Sequence, residues 1–242
     1  MSKIYVTGDT HGEIEMYRLW NTKLQTLTRD DYVIIAGDAG FIWRGFTGPD
    51  GGLHENDQRL INKLAELPFT ILFIDGNHEN HKALTQFPAM VWNGGKVHKI
   101  SDNLYHLMRG QIFNIDGRTI FTFGGAESID KEYRIIDKSW WKEEMPTEWE
   151  FALGLKKLEE VNFKVDYVIT HTCRHFVIPN MINHWWNDIN NPLEGYFTYL
   201  IKDCNLQFKR WYFGHWHYDD TTTLGGRAIY NDIENIDTGE IL

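Results

Sequence analysis

The sequence predicts an α/β fold, because short apolar runs alternate with segments of helical periodicity through the first half of the 242-residue chain. Runs rich in β-branched and aromatic side chains predict strands at residues 3–7, 32–36 and 69–74. Segments with helical spacing lie between them, as in chains whose parallel strands are joined by right-handed crossovers. We therefore expect a largely parallel sheet.

Two helices are predicted between these strands. Residues 13–27 should form an amphipathic helix, since apolar side chains recur there at helical spacing. These side chains are Ile14, Tyr17, Trp20, Leu24 and Leu27. The next helix contains residues 60–67 and stops at Pro68, because proline cannot continue a helix.

The second half of the chain predicts a different mixture of elements. Residues 111–115 and 118–123, joined through Asp116-Gly117, are typical of a β-hairpin. The remaining predicted elements are a helix at 147–161, a strand at 166–170, a helix near 193–203, a strand at 208–213 and hairpins around Gly225-Gly226 and Thr238-Gly239.

Two stretches have no clean period, residues 126–150 and 174–191, and are predicted to be cap or loop insertions. Neither an internal repeat nor a low-complexity linker divides the sequence. Residues 1–242 are therefore predicted to form a single domain.

The charge and the cysteine count restrict the classes of partner and compartment. A formal charge of −10 argues against long nucleic acids or anionic membranes as partners, since these need clustered basic surface. Small phosphorylated ligands remain compatible, because bound cations reverse the local field. Cys173 and Cys204 are too few for a disulfide framework. With no signal peptide or long apolar span in the sequence, we expect a cytoplasmic protein.

Residues of metal-ligand type stand in five short turns that mostly follow predicted strands. They are Asp9 and His11 in Gly-Asp-Thr-His-Gly, Asp38 in Gly-Asp-Ala-Gly, Asn77 in Gly-Asn-His-Glu, His171 in Thr-His-Thr, and His215 and His217 in Gly-His-Trp-His. Any one of these could be ordinary turn chemistry. Strand ends, however, are where open α/β sheets place their ligands, and five such turns together predict a two-metal centre.

The ligand types favour hydrolysis of a phosphate ester. A two-metal hydrolytic site needs a bridging ligand, and Asp38, central in the order of ligands, is the natural candidate. Two divalent ions bring four positive charges, of which Asp9 and Asp38 cancel two. The remainder can hold a hydroxide and a phosphoryl oxygen. Four imidazoles and one amide favour Mn, Fe or Zn, with Ni or Co as further options, over Mg or Ca.

The order of these motifs resembles the calcineurin-like metallophosphoesterases from Asp9 to His217. The resemblance implies a four-layer αββα sandwich and in-line attack on phosphorus by a metal-bridging hydroxide. It also implies that His78 contacts the phosphate or protonates the leaving group. The implied ligands are Asp9, His11 and His217 for one ion, Asn77, His171 and His215 for the other, and Asp38 as the bridge.

Departures from the Ser/Thr protein phosphatases of that superfamily argue against protein phosphatase activity. Their Gly-Asp-x-x-Asp-Arg-Gly motif supplies a second Asp and an Arg, and these positions hold Phe41 and Ile42 here. The Arg that they carry before Gly-Asn-His-Glu is Asp75. Arg44 is a candidate replacement for the missing phosphate contact.

A second resemblance concerns the segment from Gly124 to Trp141, which is similar to a subgroup of small bacterial and phage metallophosphoesterases. By that similarity Asp130 and Arg134 would face the site as substrate contacts, and the alternative is that both are solvated surface charges. Trp185 and Trp186 could stack a nucleobase or an aromatic leaving group, or could pack a loop onto the body.

The sequence therefore predicts dinuclear metal-dependent hydrolysis of a small phosphomonoester or phosphodiester. An alternative within the enzymes is a nucleotide-directed phosphodiesterase or a nucleotide-polyphosphate hydrolase, if the aromatic insertion binds a base. A remote alternative is a non-catalytic scaffold of the same fold, but such a protein should have lost metal ligands. Neither the substrate nor the oligomeric state follows from the sequence.

Overall fold

Two mixed β-sheets form the centre of the computed structural model, which describes residues 1–175, 177 and 190–242. The strands in chain order are β1 (Ile4–Thr7), β2 (Tyr32–Ile35), β3 (Thr70–Phe73), β4 (Ala89–Trp92), β5 (Gly95–Lys99), β6 (Leu104–Leu107), β7 (Gln111–Ile115), β8 (Arg118–Phe123), β9 (Tyr167–Thr170), β10 (Arg210–Phe213), β11 (Asp220–Thr221), β12 (Gly226–Ala228) and β13 (Ile233–Asn235).

Each sheet is parallel at its centre and antiparallel at its edges. The first sheet has the order β13-β1-β2-β3-β6-β5-β4, in which β1, β2, β3 and β6 run parallel. The second has the order β11-β12-β10-β9-β8-β7, in which β12, β10, β9 and β8 run parallel. The predicted parallel strands are therefore present, but they are divided between two sheets.

Helices cover the outer faces of the sheets. They are α1 (Glu55–Ala65), α2 (His81–Leu84), α3 (Glu148–Glu160) and α4 (Pro192–Lys202). Thr147 and Glu150 form a capping box at the start of α3. Asn191 caps α4, whose first residue is Pro192. The helices predicted at 147–161 and near 193–203 are thus confirmed to within a few residues.

Three apolar clusters define four layers. One cluster packs α1 residues such as Leu64 against β2 and β3 of the first sheet. A second lies between the two sheets and includes Ile34 of β2 and Ile169 of β9. The third packs α3 and α4, through Leu158 and Phe197, against the outer face of the second sheet. The predicted four-layer αββα sandwich is confirmed.

The prediction of one continuous helix at residues 13–27 is wrong. This segment instead forms two short 3-10 helices, Met16–Trp20 and Leu24–Thr26, separated by residues 21–23. Asn21 has an extended backbone, and its side-chain oxygen accepts a hydrogen bond from the Lys23 amide at 2.9 Å. Such a local side-chain bond competes with continuous helix, which explains the break despite the helical spacing of the apolar residues.

The two predicted insertions differ in how much of them the structure describes. Residues 126–150 are largely irregular, with short 3-10 helices at Lys131–Tyr133 and Lys142–Glu144. The second insertion, including Trp185 and Trp186, lies mostly outside the described residues. Across the described parts of the chain, every helix is too short or too polar to cross a bilayer.

Candidate metal centre

The five ligand-bearing turns meet because each follows a parallel strand near the middle of its sheet. Asp9, Asp38 and Asn77 follow β1, β2 and β3, which are adjacent in the first sheet. His171 and His215 follow β9 and β10, which are adjacent in the second sheet. Because the sheets pack face to face, the carboxyl ends of five strands converge on one place.

Most of the side chains there fall into two neighbouring groups. In one group, ligand atoms of Asp9, His11 and His217 all lie within 4.8 Å of one another. In a second group, the ligand atoms of Asp38, His171 and His215 meet the same limit.

Asn77 and Asp38 extend and join these groups. The Asn77 Oδ1 atom lies 3.2 Å from His171 Nε2, which adds the amide to the second group. Asp38 Oδ2 lies 3.3 Å from His171 Nε2 and 3.5 Å from His11 Nε2, so this oxygen reaches both groups. The fold therefore brings together all seven sequence-predicted ligands, with Asp38 between the two groups.

Main-chain hydrogen bonds fix both carboxylates. The His78 amide donates to Asp38 Oδ1 at 2.6 Å, and the His215 amide donates to Asp9 Oδ1 at 3.1 Å. Each bond links one ligand-bearing turn to another. Since the Oδ1 atom of Asp38 is engaged, its Oδ2 atom is left to face the imidazoles.

The surroundings of His171 fit a bound cation. Its Nδ1 atom lies 2.9 Å from the carbonyl oxygen of Ala36, which can only accept, so Nδ1 carries the proton. In a neutral ring the Nε2 lone pair then points at two oxygens, those of Asp38 and Asn77. Three lone pairs facing one another in a buried pocket require a positive charge between them.

The pKa values also indicate that the surroundings of His171 favour a positive charge. Burial opposes protonation of His171, but the charges of Asp38 and Asp9 raise its pKa to about 10. Burial would likewise raise the pKa of Asp38, yet His171 and His11 hold it well below its ordinary value. Burial, with the charge of His171, lowers the pKa of His215 to about 3, so His215 presents a neutral ligand nitrogen.

Backbone conformation marks the same turns. His11, Asp38, His215 and His217 have positive φ angles of 40°, 45°, 68° and 53°, a region that residues other than glycine rarely adopt. Such strain concentrates at functional sites. Gly76 has a different requirement, because a Cβ atom there would lie 2.1 Å from Asp38 Oδ1.

Two further residues orient His11 and were missed by the sequence analysis. Glu15 Oε2 lies 3.0 Å from His11 Nδ1, which directs His11 Nε2 toward Asp38. The Tyr230 hydroxyl donates to Glu15 Oε1 at 3.1 Å, and the Tyr230 ring stacks on His217 at 4.4 Å. Glu15 stands four residues after His11, which was the one sequence signal for this contact.

Ser128 and Glu144 orient the amide of Asn77 and were also missed. Asn77 Nδ2 donates to Ser128 Oγ at 3.1 Å, and Ser128 Oγ donates to Glu144 Oε2 at 2.6 Å. Because the serine proton is committed to Glu144, Ser128 can only accept from Asn77. This arrangement turns Asn77 Oδ1 toward His171.

Arg134 and Asp130 lie beside His78. Arg134 Nη2 is 3.1 Å from His78 Nε2, and Arg134 Nε pairs with Asp130 Oδ1 at 2.7 Å. The rings of Trp43 and His78 are stacked, with their centroids 6.4 Å apart. Burial lowers the pKa of His78, Asp38 opposes this effect and Arg134 reinforces it. His78 is therefore neutral near pH 7, with a guanidinium group against it.

Arg44 occupies a more distant position. It lines a pocket of about 430 Å³ that also includes His11, His78 and Trp43, and its side chain is exposed. Phe41 and Ile42, by contrast, are fully buried in the core of the first sheet, so these positions offer nothing to a substrate.

The fold and the site define a phosphoester hydrolase of a metal-dependent class. Residues 2–219 match the model of the family described as calcineurin-like phosphoesterase, and the chain belongs to this family. It is also similar to the crystal structure of a phosphopantetheinyl hydrolase from Mycobacterium tuberculosis. That similarity has 15% sequence identity and a TM-score of 0.40, and covers 95% of this chain and 88% of that chain. No curated protein matches the chain.

Proposed function

We propose that the protein hydrolyses a small phosphomonoester or phosphodiester at a dinuclear metal centre. The observation that carries this proposal is the position of Asp38 Oδ2, within 3.5 Å of imidazole nitrogens from both ligand groups. A carboxylate oxygen shared in this way suits a bridge between two ions. Family membership supports phosphoester hydrolysis and argues against the scaffold alternative.

Two divalent transition-metal ions fit the ligands. Asp9, His11 and His217 would hold one ion, and Asn77, His171 and His215 would hold the other. The nitrogen-rich ligand set favours Mn, Fe or Zn, with Ni or Co also suitable. When bound, such ions activate water and offset the negative charge of a phosphoryl group.

His78 and Arg134 supply the remaining chemistry on this proposal. Arg134 provides a positive charge beside His78, at the edge of the ligand groups, where a phosphoryl oxygen could bind. Asp130 holds the guanidinium in place through its 2.7 Å contact. His78 lies within 4.8 Å of ligand atoms of His11 and Asp38. In its neutral form it is placed to contact the phosphate, whereas protonation of the leaving group would need the imidazolium form, which Arg134 disfavours.

A nucleotide-directed phosphodiesterase is the second candidate, and the pocket lined by Trp43 favours it. This pocket adjoins His11 and His78, has a volume of about 430 Å³, and offers an indole ring with Arg44 nearby. An aromatic face beside a cationic side chain is suited to a base or another planar leaving group.

Activity measurements after metal reconstitution test the proposal. The substrates would be an aryl phosphate monoester, a bis-aryl phosphodiester, cyclic nucleotides and dinucleoside polyphosphates, each assayed with Mn, Zn, Fe and Mg. We expect about two ions per chain and hydrolysis of at least one ester class. Asp38→Asn should lower kcat by about 10³-fold or more, since the bridge is lost.

The matched control is Asp30→Asn, an exposed carboxylate in a loop, which should behave as wild type. One bound ion per chain, or unchanged turnover in Asp38→Asn, would contradict a dinuclear mechanism. Activity restricted to nucleotides would favour the second candidate.

A further inference from the structure

A second cavity, of about 540 Å³, is lined in part by Asp75, which stands two residues before Asn77 in the chain. It lies between α2, α3 and the strands β5 to β7. Among the described residues that line it there is none of the seven proposed metal ligands. Its volume is within the range of about 300–1,000 Å³ that is typical of small-molecule sites.

Several charged side chains line this cavity, and they pair with one another. Arg109 Nε and Nη2 donate to Asp75 Oδ2 at 2.8 and 2.5 Å, and His106 Nε2 lies 3.1 Å from Asp75 Oδ1. Arg109 also lies 3.5 Å from Glu150. Because these groups already pair with one another, the floor does not require a counter-ion from a ligand.

Two imidazoles add polar but uncharged surface. His81 is 7% exposed, and its Nε2 atom has no hydrogen-bond partner in the described part of the chain. Burial lowers the pKa of His81 to about 3 and, with the charge of His106, lowers the pKa of His98 to about 4. Both rings are therefore neutral near pH 7.

The walls are apolar and open at one side. Leu84, Met108, Met145 and Leu153 line them, and methionine side chains adapt readily to a bound shape. Trp149 lies at the mouth and is 72% exposed. An exposed indole next to an apolar cavity offers a contact surface for the apolar body of a ligand.

The rim carries one unpaired positive charge. Lys82 pairs with Asp137 and Lys157 with Glu160, each at 2.7 Å. Lys96 is exposed and has no ion-pair partner among the residues that the structure describes. Glu143 also lines the cavity and contributes to the raised pKa of Lys82, although the ion pair of Lys82 is with Asp137. Lys96 is thus the cation left for an acid group.

We propose that this cavity binds a small amphipathic monoanion, whose aromatic or aliphatic body contacts Trp149 and Leu153 and whose acid group pairs with Lys96. Such a ligand buries apolar surface on the walls and adds one ion pair at the rim. A dianion or a phosphate without an apolar body would lack the wall contacts. The site is separate from the proposed reaction.

Anilinonaphthalene sulfonate, an aromatic monoanion, is the probe for this site. Binding to the metal-loaded protein would be followed by fluorescence and calorimetry, with saturating inorganic phosphate added to occupy the metal centre. We expect one bound probe per chain that phosphate does not displace. Lys96→Glu should weaken binding about tenfold or more, and Leu153→Trp should weaken it by filling the cavity.

Lys156→Glu is the matched control. Lys156 is an exposed residue of α3 that does not line the cavity, and its replacement makes the same change of charge as Lys96→Glu. Thermal unfolding would show that each variant folds. Unchanged probe binding in Lys96→Glu and Leu153→Trp, or displacement of the probe by phosphate, would overturn the proposal. Because binding is read directly, this result does not depend on whether the proposed phosphoesterase activity is found.

Discussion

Arg134 holds its guanidinium 3.1 Å from the Nε2 atom of His78, although 56 residues separate them in the chain. The contact joins a largely irregular segment to the turn that carries Asn77. It also places a permanent positive charge beside a neutral imidazole. Because like charges disfavour each other, Arg134 keeps protonated His78 unfavourable.

Replacing Arg134 with methionine should impair turnover without loss of metal. We expect kcat/KM to fall by about 10²–10³-fold, as when one group that stabilises the transition-state charge is removed. The pKa of His78 should rise, so the acid limb of the pH–rate profile should move to higher pH. Lys138→Met, an exposed change in the same segment, is the control. A profile identical to wild type would show that Arg134 does not act on His78.

Ser128→Ala should weaken binding of one of the two proposed ions. Without the Ser128 hydroxyl, nothing commits the Asn77 amide to present its oxygen, and we expect about 10–100-fold lower metal affinity. The measurement is competition with a chelating dye, which resolves the two ions by affinity. Ser101→Ala changes a serine outside the site and should leave both affinities alone. If Ser128→Ala bound metal with wild-type affinity, Ser128 would have only a packing role.

Glu15→Ala should affect the other ion, the one near His11. Loss of the 3.0 Å contact frees the His11 ring to rotate or to change tautomer, which lowers its affinity for metal by a similar factor. Tyr230→Phe should have a smaller effect in the same direction, since the Glu15 contact with His11 survives. Glu159→Ala, on the exposed side of α3, is the control. If Glu15→Ala lowered the affinity for both ions equally, the assignment of Glu15 to the ion near His11 would be contradicted.

His98→Gln should reduce the pH dependence of stability in acid. Burial lowers the pKa of His98 from 6.5 to about 4, so between these values the unfolded chain binds a proton that the folded chain does not. The stability contributed by the neutral ring is therefore fully present above pH 6.5 and is lost as the pH falls toward 4.

The measurement for His98→Gln is urea unfolding at pH 7 and pH 5 with a chelator present, so that metal release does not contribute. Wild type should lose more stability than the variant, with an upper limit of about 1.4 kcal/mol per pH unit for one proton. Parallel losses in the two proteins would show that His98 is not the titrating group.

The ligand-bearing turns were predictable because strand ends impose a local pattern. Asp9, Asp38 and His171 each follow a short apolar run, and a turn after a buried strand is visible within a few residues of sequence. Their grouping into one site followed from the expectation that parallel strands end at the same edge.

The residues that hold the ligands were not predictable in the same way. Tyr230 reaches Glu15 across 215 residues, and Ser128 reaches Asn77 across 51, so no periodicity connects either pair. The helix predicted at 13–27 failed for a related reason, since one side-chain hydrogen bond at Asn21 outweighs a correct apolar spacing. Long-range and single-residue effects of this kind are decided by the folded structure.

The two sheets each contribute ligands to the same site, Asp38 from the first and His171 from the second, with Asp38 Oδ2 and His171 Nε2 3.3 Å apart. Ions that occupy this place would therefore act as non-covalent cross-links between the two halves of the sandwich. Since ligands from both sheets come together only in the folded state, this state would bind the ions more tightly than the unfolded chain and would be stabilised by them. Loss of metal would then lower the stability of the folded protein as well as its activity. The supply of metal would therefore affect both properties together.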